Sequence, residues 1–174
     1  MLSNENISAN HLDIGVGTGY FLDKCEFPST TPKLTLLDLN LNSLESCAKR
    51  VYRYKPAIHV GNVLKPLDIS ETYDSVGLSY LLHCLPGTMR DKAIVFQNIK
   101  TVLNPNGGVF GTTILGKGVS RNPMAQVLMG IYNSFGIFSN THDKLSDLEF
   151  ILKENFRTCS THMVGCVAFF TGHL

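Results

Sequence analysis

The stretch His11–Tyr20, HLDIGVGTGY, organises the chain. Its apolar start predicts a short buried strand, its three alternating glycines predict a turn, and a helix is expected behind them. Glycine tolerates positive φ and lets a ligand approach the main chain. Free amides at the start of the helix would face the same point. The stretch therefore predicts a site for a small ligand that is polar or negatively charged.

The spacing of the glycines narrows the kind of ligand. A dinucleotide-binding turn uses G-x-G-x-x-G, whereas Tyr20 stands here in place of the last glycine. Asp38 ends a second apolar run, residues 34–37, where a carboxylate can accept hydrogen bonds from ribose hydroxyls. Turn and acid together predict a nucleoside pocket. A plain strand–helix turn with an incidental aspartate, and an NAD-binding oxidoreductase, stay open as alternatives.

Four segments in order resemble the class I S-adenosylmethionine-dependent methyltransferases. Residues 12–19 (LDIGVGTG) resemble their motif I, and Asp38 matches the acid that ends their second strand. Residues 74–83 (DSVGLSYLLH) resemble their fourth strand with the segment after it, and residues 104–108 (NPNGG) the turn before their fifth strand. The resemblance implies an α/β three-layer sandwich with a mostly parallel seven-stranded sheet of order 3-2-1-4-5-7-6, in which strand 7 is antiparallel.

The same resemblance implies S-adenosyl-L-methionine as the cofactor and S-adenosyl-L-homocysteine as its product. In an open parallel sheet, ligands bind beyond the carboxyl ends of the strands where the strand order reverses. The residues expected to bind the cofactor are Asp13, Gly15, Gly17, Thr18, Gly19, Asp38, Leu39, Asn62, Val63, Ser79 and Tyr80.

Candidate catalytic residues are His83, Tyr80 and His142. Histidine both caps backbone and catalyses, so either role is open for His83. His142 and Asp143 could form a base and its orienting group, or a solvated turn. Metal-dependent members of the family need a carboxylate cluster near strand four, and none is apparent after Asp74, so no metal ion is expected.

The chain of 174 residues predicts a single methyltransferase domain. Within it, residues 116–143 are expected to form an insertion on the substrate side, although their aromatic side chains could simply pack on the core. Pro123 can begin a helix. Apolar residues recur at helical spacing along it: Met124, Val127, Leu128, Ile131 and Tyr132.

Composition excludes several classes of protein. A net charge of +1 argues against a nucleic-acid footprint, and no apolar run approaches the ~20 residues of a membrane span. The five cysteines are scattered without a C-x-x-C pair, which favours neither a disulfide framework nor a zinc site. A cytoplasmic protein without membrane contact is expected.

The function predicted from these features is metal-independent methyl transfer from S-adenosylmethionine to a small molecule, mainly by positioning the reactants. Only ten residues precede the first predicted strand, whereas the family usually carries a cap helix there. The alternatives are therefore a non-catalytic S-adenosylmethionine-binding protein, a truncated methyltransferase, or a homodimer that covers an open cofactor pocket. A methyltransferase acting on RNA or protein is a further alternative.

Overall fold

A computed structural model describes residues 2–121 and 123–174. The strands are β1 Asn10–Ile14, β2 Lys33–Asp38, β3 Ala57–Val60, β4 Tyr73–Ser79, β5 Leu103–Ile114, β6 Thr158–Val164 and β7 Val167–His173. The α-helices are α1 Leu2–Asn6, α2 Tyr20–Lys24, α3 Leu41–Arg50, α4 Ala93–Lys100, α5 Pro123–Ser134 and α6 Leu145–Asn155. Two short 3₁₀ turns lie at Tyr52–Tyr54 and Leu82–Cys84.

The strands form one seven-stranded sheet of order β3-β2-β1-β4-β5-β7-β6. Strands β1 to β5 are parallel, whereas β7 runs antiparallel to both β5 and β6. The predicted strand order and the reversed strand are confirmed. Because β1, β2 and β4 run side by side and parallel, their carboxyl ends at Ile14, Asp38 and Ser79 meet at one edge of the sheet.

Helices cover both faces of the sheet. On one face, Leu44 and Cys47 of α3 pack in a cluster with Leu34 and Leu36 of β2. On the other face, a larger cluster joins α4 and α6 to the strands, with Phe96 at right angles to the rings of both Phe156 and Phe170. Strands buried on both faces explain the nearly continuous apolar runs in the sequence.

The turn expected at residues 104–108 lies inside β5 in the structure. Pairing between β4 and β5 moves from Tyr73–Leu103 to Ser75–Gly108, so extra residues bulge out of β5. Asn106 adopts a positive φ of 65° there. The segment therefore redirects the strand without ending it.

No helix in the part of the chain that the structure describes is long and apolar enough to cross a membrane.

Candidate functional site

The glycine turn after β1 has the backbone that its sequence predicts. Gly15, Gly17 and Gly19 all have positive φ, at 72°, 52° and 72°. A Cβ atom would lie 2.7 Å from Cδ1 of Leu81 at Gly15 and 2.7 Å from Sγ of Cys47 at Gly19, whereas at Gly17 it would meet open space. Two of the glycines are thus required by packing as well as by φ, and the third leaves the main chain bare beside a cavity.

Two cavities flank this turn and share Gly15. The first, of about 210 Å³, lies on the β4 side, and the second, of about 80 Å³, lies on the β2 side. The first is lined by Asp13, Gly15, Val16, Gly17, Thr18, Gly19, Tyr20, Phe21, Leu22, Ser79 and Tyr80. The second is lined by Ile14, Gly15, Leu37, Asp38, Leu39, Gly61, Asn62, Val63, Leu81 and Leu85. All eleven predicted cofactor-binding residues therefore line one cavity or the other.

Helix α2, behind the turn, has five residues, Tyr20–Lys24, with Gly19 at its N-cap and no side-chain cap. It is shorter than a typical helix, so its dipole is correspondingly weak. The dipole of α2 therefore adds little to the polarity on this side of the first cavity.

Asp13 lies near the end of β1 and faces the first cavity, yet only 7% of it is exposed. None of the ion pairs found among the described residues includes it. Burial, together with the negative charge of Asp38, raises the pKa of Asp13 to about 7. A buried carboxyl without a cation is costly to ionise, and a positively charged ligand would relieve that cost.

Asp38 ends β2, half-buried, on the second cavity. Its Oδ1 accepts a hydrogen bond of 2.9 Å from the backbone N–H of Asn40, and a carboxylate keeps further lone pairs for a ligand. Across the cavity, Oδ1 of Asn62 accepts from the N–H of Leu64 at 2.9 Å. Asn62 therefore shapes its own turn and still has capacity to accept a second hydrogen bond.

Tyr80 follows β4 in a left-handed conformation, with φ of 58°. Its N–H donates to the carbonyl oxygen of Thr112 at 2.9 Å and lies 3.1 Å from the Thr112 hydroxyl, which fixes the main chain. Its ring stacks on Phe21, with centroids 5.6 Å apart and planes 15° from parallel. Both rings stand at the mouth of the first cavity.

His83 is buried behind Tyr80, with ring centroids 6.0 Å apart. Its Nδ1 accepts from the backbone N–H of Ile114 at 3.3 Å, so the neutral ring carries its proton on Nε2. Burial, together with the charge of Lys92, lowers the pKa of His83 to about 4. His83 is accordingly neutral at physiological pH, which fits an anchoring role better than that of a proton acceptor.

Neither of the two interpretations left open for His142 and Asp143 describes Asp143, which lies in the interior and pairs with Lys92. Asp143 is buried, and its Oδ2 accepts from Nζ of Lys92 at 2.6 Å. The same ammonium group donates to the carbonyl oxygen of Ser139 at 2.8 Å. His142 is exposed on the rim of an open groove of about 420 Å³, which is also lined by Phe138.

Sequence reasoning missed Lys92 and Phe21, whereas Phe138 belongs to the segment that is expected on the substrate side. Lys92 gave no signal, because its partner is 51 residues away and lysine is rarely buried unless it is paired. Phe21 could have been noted beside Tyr20, since it directly follows the glycine turn.

No group of three or more His, Cys, Asp or Glu side chains within residues 2–121 and 123–174 could hold a metal ion.

Comparison with known proteins shows which family the chain belongs to. A family model described as "Methyltransferase domain" matches residues 12–109. Demethylluteothin O-methyltransferase of Streptomyces thioluteus is 44% identical over 162 residues, which cover 92% of this chain and 70% of that protein. YbcY of Escherichia coli K12, a putative uncharacterized protein, is 40% identical over 170 residues, covering 96% of this chain and 86% of that one.

The fold has solved counterparts. The N-methyltransferase NodS from Bradyrhizobium japonicum WM9 superposes with a TM-score of 0.67 at 14% identity, over 99% of this chain and 89% of that chain. Identity at this level shows a shared fold alone. Matched in sequence over most of its length and carrying the glycine turn with its downstream acid, the chain belongs to the class I S-adenosylmethionine-dependent methyltransferase family.

Proposed function

We propose that this protein transfers a methyl group from S-adenosylmethionine to a small-molecule acceptor, without a metal ion and mainly by positioning. The observation that carries the proposal is the pair of cavities that meet at Gly15, with one carboxyl group in each. The first holds buried Asp13, and the second holds half-buried Asp38.

These cavities suit the cofactor chemically. S-adenosylmethionine joins a nucleoside to an amino acid through a positively charged sulfur, so it needs a polar site for its ribose and negative charge near its cations. Asp38 would accept hydrogen bonds from the ribose hydroxyls, and Leu39, Asn62 and Val63 would enclose the base. Asp13, Thr18, Ser79 and the bare backbone at Gly15, Gly17 and Gly19 would hold the amino-acid part.

The cofactor, when bound, supplies an electrophilic methyl group, so the chain's own residues need only orient the acceptor and exclude water. Residues 116–143 include Phe138, which packs on His83 with ring centroids 4.6 Å apart. We assign that segment, with Tyr80 and His142, to the acceptor side of the site. His83 would act there by holding Tyr80 and Phe138 in place, and not as a base.

The names of the relatives favour oxygen as the methylated atom. The Streptomyces thioluteus relative is an O-methyltransferase, and a relative from Aspergillus chevalieri, 41% identical, is described as a physcion biosynthesis cluster O-methyltransferase. A relative from Penicillium aethiopicum, 40% identical, is named an N-methyltransferase. A hydroxyl acceptor is the first class to test, with amines as the second.

We also propose a homodimer that covers the open cofactor site. Its support is the exposed apolar stripe of α5, where Met124, Val127, Leu128 and Ile131 are 81%, 64%, 47% and 44% exposed. Exposed stripes of this kind mark interaction surfaces. Sedimentation velocity should show a dimer, and a monomer at every concentration would remove this part of the proposal.

Calorimetric titration with S-adenosylmethionine, S-adenosylhomocysteine and NAD tests the function. We expect both adenosyl compounds to bind and NAD to give no heat. Turnover is then measured with a panel of phenols, amines, RNA and protein. Binding without turnover of any acceptor would favour a non-catalytic binding protein, and methylation of RNA or protein alone would overturn the small-molecule assignment.

A further inference from the structure

We propose that the acceptor is a planar aromatic compound, seated against the stacked rings of Phe21 and Tyr80 at the mouth of the first cavity. This inference rests on the proposed function, since it names the substrate class of the same site.

The two rings form an exposed platform. Phe21 and Tyr80 lie nearly parallel, 5.6 Å apart, and 38% and 37% of these residues are exposed. Tyr20 stands at 84° to Phe21, with centroids 5.6 Å apart, and is 53% exposed. All three residues line the cavity that holds Asp13. Three exposed aromatic rings around a polar cavity present flat apolar surface to a ligand at the point where a methyl donor would be reached.

Neighbouring residues fix both the main chain and the ring of Tyr80. The main chain of Tyr80 is fixed in its left-handed conformation by Thr112. The ring of His83 packs edge-on against Tyr80, with their planes at 86°. His83 is held in turn by the hydrogen bond from the N–H of Ile114 and by the ring of Phe138, whose plane lies at 85° to it. Because its neighbours hold it, the Tyr80 ring can orient a ligand at little entropic cost, which is the condition for precise positioning.

The segment that packs behind His83 is uncharged. No residue from Pro123 to Asn140 carries a formal charge. Tyr132 and Phe138, within that segment, continue the aromatic contacts, with centroids 4.9 Å apart. An anionic acceptor would be disfavoured beside Asp13, which lines the same cavity, whereas a flat uncharged ring would gain stacking contacts. The competing assignment is that Phe21 and Tyr80 only pack on the cofactor, and the experiment below separates the two.

The test measures binding to protein saturated with S-adenosylhomocysteine, by calorimetry. The two probes are naphthol and a tetrahydronaphthol whose ring distant from the hydroxyl is saturated, so that both are phenols and only one is fully planar. We expect naphthol to bind at least about fivefold more tightly, the scale of one aromatic contact.

Substitutions at Tyr80 and Phe21 test whether these two rings bind the naphthol. Tyr80→Leu and Phe21→Leu should each weaken naphthol binding by about five- to tenfold, and Tyr80→Phe should restore it, because the ring is kept. The affinity for S-adenosylhomocysteine should fall by less than the affinity for naphthol, although Tyr80 and Phe21 line the cavity proposed for the cofactor as well. Tyr52→Leu is the matched control, since Tyr52 is 75% exposed and lines neither cavity. It should bind both probes like the unmodified protein.

Equal affinity for naphthol and tetrahydronaphthol would overturn the proposal, and so would leucine variants that weaken S-adenosylhomocysteine as much as naphthol. The probe comparison needs only the unmodified protein, so it decides the matter even where a variant fails to fold. If S-adenosylhomocysteine does not bind at all, the proposed function fails instead.

Discussion

Two buried carboxyl groups show how differently the two sides of the site are built. Asp13, on the cofactor side, is 7% exposed and has no ion-pair partner among the described residues. Asp143, on the acceptor side, is 1% exposed and bound to Lys92 at 2.6 Å. The same side chain is thus unpaired beside a cavity in one region, where we propose that it meets the cofactor, and belongs to the architecture in the other.

The partners of Asp143 make it structural. Its backbone carbonyl accepts from the N–H groups of both Gly116 and Lys117, directly after β5. Its carboxylate binds Lys92, which in turn holds Ser139. One residue thereby joins the end of β5, the approach to α4 and the loop before α6. Asp13, by contrast, faces a cavity, and a ligand in that cavity could pair with its carboxyl group.

The largest expected effect is a loss of stability when the buried pair of Lys92 and Asp143 is broken. Asp143→Ala leaves the ammonium of Lys92 buried and uncompensated, and should lower the free energy of unfolding by about 3–5 kcal/mol. The double variant Lys92→Met with Asp143→Leu should recover most of that loss, since apolar residues of similar volume replace a buried pair well. Urea unfolding measures both. A single variant within about 1 kcal/mol of the unmodified protein would contradict the comparison.

Replacing Asp143 and Asp13 by asparagine should change the free energy of unfolding in opposite directions. Asp143→Asn destabilises because it removes the partner of Lys92. Asp13→Asn should stabilise the ligand-free protein by up to about 4 kcal/mol at pH 8, because an unpaired buried charge disappears. It should also weaken S-adenosylhomocysteine binding. Destabilisation by both substitutions would show that the two regions are alike.

The stability difference at Asp13 should depend on pH. The pKa of Asp13 is raised to about 7 in the folded protein, from 3.8. Its contribution is therefore fully favourable below pH 3.8 and is lost as the pH rises to about 7. The gain from Asp13→Asn should be smallest near pH 4, grow with pH and level off above 7. Urea unfolding of both proteins across this range measures it, and a difference that stays flat would contradict the raised pKa.

Asp38→Ala should weaken S-adenosylhomocysteine binding at least tenfold, about 1.4 kcal/mol, because the ribose hydroxyls lose their acceptor. Calorimetry measures the change, with Asp68→Ala as a control for loss of an exposed carboxylate. An unchanged affinity would remove Asp38 from the site and leave Asp13 as its only candidate carboxylate.

The smallest effect concerns the Tyr80 hydroxyl. Tyr80→Phe keeps the stacked ring, so kcat for a phenol should stay within about twofold. A fall of a hundredfold or more would instead assign proton transfer to that hydroxyl. The acceptor side would then work by acid–base chemistry, and positioning would no longer describe it.

The strand order is implied by the resemblance to the methyltransferase family, whereas the position of the candidate site at one edge of the sheet follows from local patterns. Buried runs ending at Ile14, Asp38 and Ser79 are visible in the sequence, and a parallel sheet brings their ends together. The tight connection between β6 and β7 likewise required an antiparallel pair. The roles given to the individual site residues stay predictions, as does the cytoplasmic location.

What could not be predicted depends on distant partners. The sequence pattern gave no reason to bury Lys92, or to separate Asp143 from its neighbour His142. Helical spacing gave α5 an apolar face, but periodicity cannot say whether another element covers it, and Met124 and Val127 are in fact exposed. Burial at such positions is decided by tertiary packing.

The positive φ of Tyr80 has a consequence for stability engineering. Asparagine adopts positive φ far more readily than tyrosine, so a search for heat-resistant variants would be drawn to Tyr80→Asn. Such a variant could survive warming well and still have lost the ring that faces the cavity. Selection on thermal tolerance alone would therefore favour loss of the aromatic ring that we propose to contact the acceptor.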